Sequence, residues 1–192
     1  MDKLSDWGII GLGTIGSNLI MNFSRNGFKL SIYNRHLKDL EENIAKNFVK
    51  INSHLKNVLP FDNINFFVKS IKKPRKILIL IPSGKPIDEM IESLLNYLSK
   101  EDIIIDGGNS YFKDTERREL YLKRKKLNFL GIGISGGTMG ARNGPSIMVG
   151  GSKTIYKKVE RDLNKISAIT HLNESCCNRV GPSSSGHYVK MI

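Results

Sequence analysis

The sequence predicts an α/β fold: a doubly wound, mainly parallel β-sheet with helices on both faces. Three observations carry that prediction. Short apolar runs alternate with helix-period segments along the chain, which is how buried parallel strands and their covering helices read. Several of the runs end in glycine-containing turns, as strands do where a turn leads straight into a helix. Hydrophobic residues make up 40% of the 192 and charged residues 25%, enough apolar material for a core and too much for a disordered chain.

The first expected element is a buried strand over 7–10 (WGII), closed by Gly11. A helix over 14–26 follows, with Ile15, Leu19, Ile20 and Phe23 on one face and Asn26-Gly27 as its stop. Residues 29–33 alternate as a second strand, and 37–48 read as a second helix. A polar stretch runs to about Pro60, and Asp62 is the expected cap of a short helix through Ile71. KILILI over 76–81 is the plainest buried strand. A helix over 86–98 has proline at its start and a stripe that includes Ile87, Ile91, Leu94 and Leu98. Another buried strand, 103–106, stops at Gly107-Gly108, and 115–125 form a strongly charged helix. Strands over 129–134 and 147–149 flank a glycine-rich loop, and 154–166 read as one helix. Ser183 to Gly186 lead into a final helix.

Lys and Arg number 30 against 18 Asp and Glu, a formal charge of +12. The basic residues are scattered, with small clusters at 72–76 and 123–126. That fits a solvated surface or a site for small phosphorylated ligands better than a nucleic-acid face. The longest apolar run, 77–81, is far below the ~20 residues of a membrane span. No basic N-terminal segment leads into an apolar stretch, so no signal peptide is expected. The two cysteines, Cys176 and Cys177, are adjacent and offer neither a disulfide framework nor metal-ligand spacing. A reducing, cytoplasmic setting is the expectation, without membrane, nucleic acid or metal as partner.

Gly11-Leu12-Gly13-Thr14-Ile15-Gly16 is a GxGxxG between an expected strand and an expected helix, with a second strand next. In that context the spacing marks a dinucleotide site of Rossmann type. Gly11 permits the tight turn, Gly13 lets the backbone approach a pyrophosphate, and Gly16 lets helix and strand pack closely. The helix N-terminus then offers free amides and a positive dipole end to the anion. The end of the second strand selects the cofactor. An NAD site usually has Asp or Glu there, but this chain has Tyr33-Asn34-Arg35-His36 and no carboxylate before Asp39. Arg35 suits a 2′-phosphate, with Asn34 and His36 as further donors, so the expected cofactor is NADP.

Three more strand ends carry glycine with short polar residues: Ile81-Pro82-Ser83-Gly84, Asp106-Gly107-Gly108-Asn109-Ser110, and Gly133-Ile134-Ser135-Gly136-Gly137. Such residues favour turns anyway, but several at strand ends in a doubly wound sheet point to a ligand crevice. On these residues the sequence resembles the decarboxylating 6-phosphogluconate dehydrogenase family. The matching segments are GLGTIGSNL with NFSRNGF, YNRH, DGGNSYFKDTERR, GIGISGGTMGARNGPSIMVGG and GPSSSGHYVKM. The resemblance implies that Gly11 to Gly16 hold the pyrophosphate and Asn34-Arg35-His36 the 2′-phosphate. It implies that Ile81, Pro82 and Ser83 border the cofactor and that Asn109 touches cofactor and substrate. Ser135, Gly136 and Gly137 would bind the sugar acid, and Lys190 would be the general base. Pro82 replaces the family's usual Lys, Thr138 and Met139 replace two acidic residues, and Ile15 replaces Met.

The implied reaction oxidises the C3 hydroxyl of 6-phosphogluconate with NADP, loses CO2 and yields ribulose 5-phosphate, a step of the pentose phosphate pathway. A lysine base must be neutral, against an ordinary pKa of about 10.4, and desolvation or a nearby cation lowers it. His54 and His171 are expected to be incidental and His187 to shape the lysine turn. In the family the chain continues past the lysine into an all-helical domain that supplies the dimer interface and more of the substrate pocket. Here it stops at Ile192. The expected layout is therefore an NADP-binding domain over 1–180 and the start of a linking helix over 181–192, with the second domain absent and little activity alone. A β-hydroxyacid dehydrogenase relative shares the early motif and a lysine base, but Asn34-Arg35-His36 and GARNGPSIMVGG argue against it. A non-catalytic NADP-binding module is the other alternative.

Overall fold

The structure, a computed structural model, describes residues 4–35 and 39–192. Among the described residues eight strands form one sheet in the order β3-β2-β1-β4-β5-β6-β7-β8. These are β1 Trp7–Ile10, β2 Leu30–Tyr33, β3 Val58–Phe61, β4 Lys76–Ile79, β5 Ile103–Asp106, β6 Asn128–Ser135, β7 Ser146–Gly151 and β8 Cys177–Gly181. All neighbours pair parallel except β6 and β7, which are antiparallel. The helices are α1 Thr14–Arg25, α2 Ile44–Ile51, α3 Ile64–Lys69, α4 Lys85–Leu95, α5 Phe112–Arg124, α6 Gly137–Asn143, α7 Lys153–Lys157, α8 Glu160–Ile166 and α9 Ser185–Met191. Among the described residues no helix is long and apolar enough to cross a membrane.

Continuous apolar strands serve two cores at once, because successive side chains point to opposite faces. Trp7, Ile9, Leu78, Ile103 and Ile105 lie in one buried cluster with α1 residues Leu19, Ile20 and Phe23. Ile10, Ile77, Ile79 and Ile104 lie in the other, with Phe67, Ile87, Ile91 and Leu122 from α3, α4 and α5. The chain winds outward from β1 through β2 to β3, and from β4 onward in the other direction. The reversal between β1 and β4 opens the crevice at their carboxyl ends where such sheets take ligands.

Several elements depart from the sequence expectation. Residues 58–61, read as polar connection, form the edge strand β3, where Pro60 costs little because an edge strand has one unpaired side. The second helix begins at Ile44 after Asn43 in a left-handed conformation (φ 54°); part of its expected start lies outside the described residues. Asn63, not Asp62, caps α3, its side chain accepting from the amides of Asn65 and Phe66. The charged helix starts at Phe112, ahead of the expected Thr115. The expected helix over 154–166 is broken into α7 and α8 at Val159, which is fully buried. The glycine-rich loop contains α6, entered through Gly136 and Gly137 at φ 125° and 59°. Strand β8 has no counterpart in the sequence reading.

Candidate functional site

The glycine turn sits at the crevice. Gly11 donates its amide to the Tyr33 carbonyl at 3.0 Å and has φ 98°. A Cβ on it would lie 2.4 Å from the Leu80 carbonyl oxygen, and one on Gly16 would lie 2.0 Å from the Gly11 oxygen. Both positions are closed to any side chain. Gly13 differs: a Cβ there would meet nothing within 4 Å. It is the N-cap of the 12-residue α1, with no side-chain cap and no acidic residue in the first turn. Unshielded amides and open space above Gly13, with exposed Thr14 and Ile15 beside it, fit a dinucleotide pyrophosphate.

At the end of β2, Asn34 is half-buried and Arg35 exposed, and both turn to Glu41. Arg35 donates to its carboxylate from Nε at 3.3 Å and from a terminal nitrogen at 3.1 Å. Asn34 Nδ2 adds a bond at 2.9 Å. The hydrogen bond from Arg35 holds the Glu41 carboxyl below its ordinary pKa, and the same pairing raises that of Arg35. His36 lies outside the described residues.

The loops after β4 and β5 touch. A Cβ on Gly108 would stand 3.1 Å from the Ile81 carbonyl oxygen, while Pro82 and Ser83 are exposed. Both loops are tied from below by Arg118 of α5, whose side chain is 1% exposed. It donates to Asp88 at 2.8 Å, Asp106 at 3.3 Å, Ser110 at 3.1 Å and the Gly84 carbonyl at 3.0 Å. Asp106 also accepts from the Gly108 amide at 3.1 Å and the Ser110 hydroxyl at 2.7 Å. Asn109 is thereby held at the top of the turn, exposed.

Helix α9 brings Lys190 to the same edge. Its approach is backbone on backbone: a Cβ on Gly186 would lie 2.4 Å from the carbonyl oxygens of Gly131 and Met148. One on Gly133 would lie 2.5 Å from the Gly186 oxygen and 2.8 Å from Lys190 Cβ. Only glycines at these positions let the helix settle this close. Lys190 Nζ then donates to Asn109 Oδ1 at 2.6 Å. Burial lowers the Lys190 pKa from its ordinary value. His187, one turn earlier, is buried and its Nδ1 meets the Thr115 hydroxyl at 2.8 Å, which anchors α9 to α5. Burial lowers the His187 pKa. Ser135, half-buried, and exposed Gly136 and Gly137 end β6, two to four residues beyond the glycine that packs on Lys190. Thr138 and Met139 are exposed in the first turn of α6.

The expected residues among those described thus share one edge of the sheet, linked through Gly11, Leu80, Ile81, Gly108, Asn109, Lys190 and Gly133. Two hollows of about 410 and 230 Å³ lie instead at the opposite, N-terminal edge, by Leu98 and Leu127 and by Asp6 and Lys76. They do not include the candidate site. Sequence reasoning assigned no individual role to Glu41, Arg118 or Asp106. A basic residue on a helix of mixed charge carries no local sign of burial, so only Asp106, a carboxylate ending an apolar strand, offered a signal.

Residues 6–181 match the family model described as the NAD binding domain of 6-phosphogluconate dehydrogenase. The decarboxylating 6-phosphogluconate dehydrogenase of Buchnera aphidicola subsp. Acyrthosiphon pisum (strain APS) is 45% identical over 185 residues, 96% of this chain and 38% of that protein. A Bacillus subtilis (strain 168) relative, 42% identical over 96% of this chain and 38% of its own length, is named NAD(+)-dependent. Plasmodium falciparum 6-phosphogluconate dehydrogenase, solved in its apo form and in complex with its cofactor NADP+ and with its substrate 6-phosphogluconate, superposes with a TM-score of 0.87. It is 41% identical over 97% of this chain and 39% of that one. The chain therefore spans about two fifths of the length of these relatives.

Proposed function

Because the chain belongs to the 6-phosphogluconate dehydrogenase family, we propose that it is the NADP-binding part of an enzyme that oxidises and decarboxylates 6-phosphogluconate to ribulose 5-phosphate. The observation that carries the reading is the 2.6 Å bond from Lys190 to Asn109, on the same sheet edge as the uncapped glycine cradle. Residues Gly11 to Gly16 hold the pyrophosphate, Asn34 and Arg35 the 2′-phosphate, and Ile81, Pro82 and Ser83 border the cofactor. Bound NADP supplies the hydride acceptor.

Neutral Lys190 takes the proton of the C3 hydroxyl as hydride leaves C3, which its desolvated position favours. The resulting lysinium then faces the new carbonyl oxygen and stabilises the charge that gathers there as CO2 departs. Asn109 orients both Lys190 and the substrate. Ser135, Gly136 and Gly137 offer a hydroxyl and backbone amides to the sugar acid. Residues 1–180 serve as the cofactor domain and 181–192 begin the element that carries the base. A cytoplasmic setting belongs to the same proposal, on the unpaired thiols of Cys176 and Cys177.

Calorimetric titration with NADP+ and NAD+ tests the reading, comparing the chain with Arg35→Asp. The expected result is NADP binding that the substitution weakens selectively. Unchanged preference for NADP in Arg35→Asp, or no heat with either cofactor, would overturn it.

A further inference from the structure

The donors that the preceding reading assigns to a 2′-phosphate are engaged by one carboxylate of the chain itself. Glu41 lies six residues beyond Arg35 and receives both arms of its guanidinium at 3.1 and 3.3 Å. It also receives the Asn34 amide at 2.9 Å. A carboxylate presents this fork with what a phosphate does: two anionic oxygens side by side. We propose that Glu41 is a built-in competitor for the 2′-phosphate of NADP, seated on its receptor, and so sets the margin by which the site prefers NADP over NAD. Glu41 is a specificity-determining residue, and the inference rests on the reading of Arg35 as the phosphate receptor.

The physical case has two halves. Glu41 takes the Nε edge of the Arg35 guanidinium and the Asn34 amide, so a bound 2′-phosphate has to displace it from those donors or take the remaining terminal N–H groups with a group of like charge alongside. NAD presents a hydroxyl at that place, which donates to a carboxylate rather than repelling it. The same side chain therefore opposes one cofactor and tolerates or assists the other. The pair is open to water, with 56% of the Arg35 and 36% of the Glu41 side chain exposed. Its effect is accordingly modest, about two- to fivefold, the range of exposed ion pairs.

The test is equilibrium binding of NADPH, NADH and adenosine 2′,5′-bisphosphate to the 192-residue chain. Wild type, Glu41→Gln, Arg35→Ala and the double variant are compared, with thermal melts confirming that each is folded. Glu41→Gln should tighten NADPH and the bisphosphate about two- to fivefold without tightening NADH. Arg35→Ala should weaken NADPH by roughly tenfold or more and abolish the gain from Glu41→Gln. NADPH binding unchanged in Arg35→Ala overturns the receptor reading and this inference together. A weakened Arg35→Ala beside a Glu41→Gln that is unchanged or weaker overturns the inference alone. A gain that persists in the double variant replaces competition by simple charge repulsion, and the inference falls. Glu41→Ala repeats the test without the amide, which keeps a weak acceptor for Arg35.

Discussion

Replacing Arg118 with methionine removes the buried tie between the two loops that border the crevice, while keeping most of the side-chain volume. Asp88 loses little, because it is 35% exposed and retains Arg117 at 2.8 Å. Asp106 is the costly partner. Its side chain is 0% exposed, and the guanidinium is the cation beside it. The Gly108 amide and Ser110 hydroxyl that remain hydrogen-bond the carboxylate but do not neutralise it. Breaking a buried pair from one side costs about 3–5 kcal/mol. For a chain of this size that corresponds to a fall in Tm of roughly 6–20 °C. Urea unfolding followed by circular dichroism measures it, and adding Asp106→Asn should restore part of the loss. A cost below about 1 kcal/mol, in the range of an exposed pair, would refute the assignment. So would a double variant as unstable as the sum of the two single ones. NADPH binding should weaken in parallel, because the Ile81 and Asn109 turns lose their common anchor.

Gly13→Ala should fold with its stability changed by no more than about 0.5 kcal/mol, since its Cβ meets nothing within 4 Å, yet lose NADP affinity in titration. Gly16→Ala should lose both, because its Cβ would lie 2.0 Å from the Gly11 oxygen. Burial lowers the Lys190 pKa from 10.5, so the unfolded chain holds that proton more tightly. The lysine's contribution to stability should then rise with pH between the folded and unfolded values, as NMR titration of 13C-methylated Lys190 beside pH-dependent melts would show; a folded value at or above the ordinary one would contradict it. Burial pushes the Cys177 thiol up to about 12. At pH 8 a thiol reagent should leave Cys177 unmodified until denaturant is added, and rapid labelling of both cysteines in the folded chain would count against that.

Much of the fold was legible because it rests on local rules. Runs such as Ile77 to Ile79 and Ile103 to Ile105 have no polar interruption because both faces of the sheet are covered, and Gly11, Gly13 and Gly16 announce a turn by spacing alone. The reading failed where neighbours in space overrode the local signal. Residues 58–61 include a proline and become a strand because β2 offers a partner for pairing. Val159 interrupts a helical period because the core takes its side chain. For the site, Lys190 and Asn109 were legible as residues through the resemblance, but their contact was not.

Local periodicity and glycine spacing, then, sufficed to determine a doubly wound sheet with a dinucleotide turn after its first strand, since both depend on backbone conformation within a few residues. Tertiary structure alone decided that Glu41 takes Arg35, that Arg118 rather than Arg117 is buried, and that α9 lies against Gly131 and Gly133. Those outcomes depend on which distant side chains come within hydrogen-bonding or van der Waals reach, a condition set by the packing of whole elements that no short stretch of chain encodes.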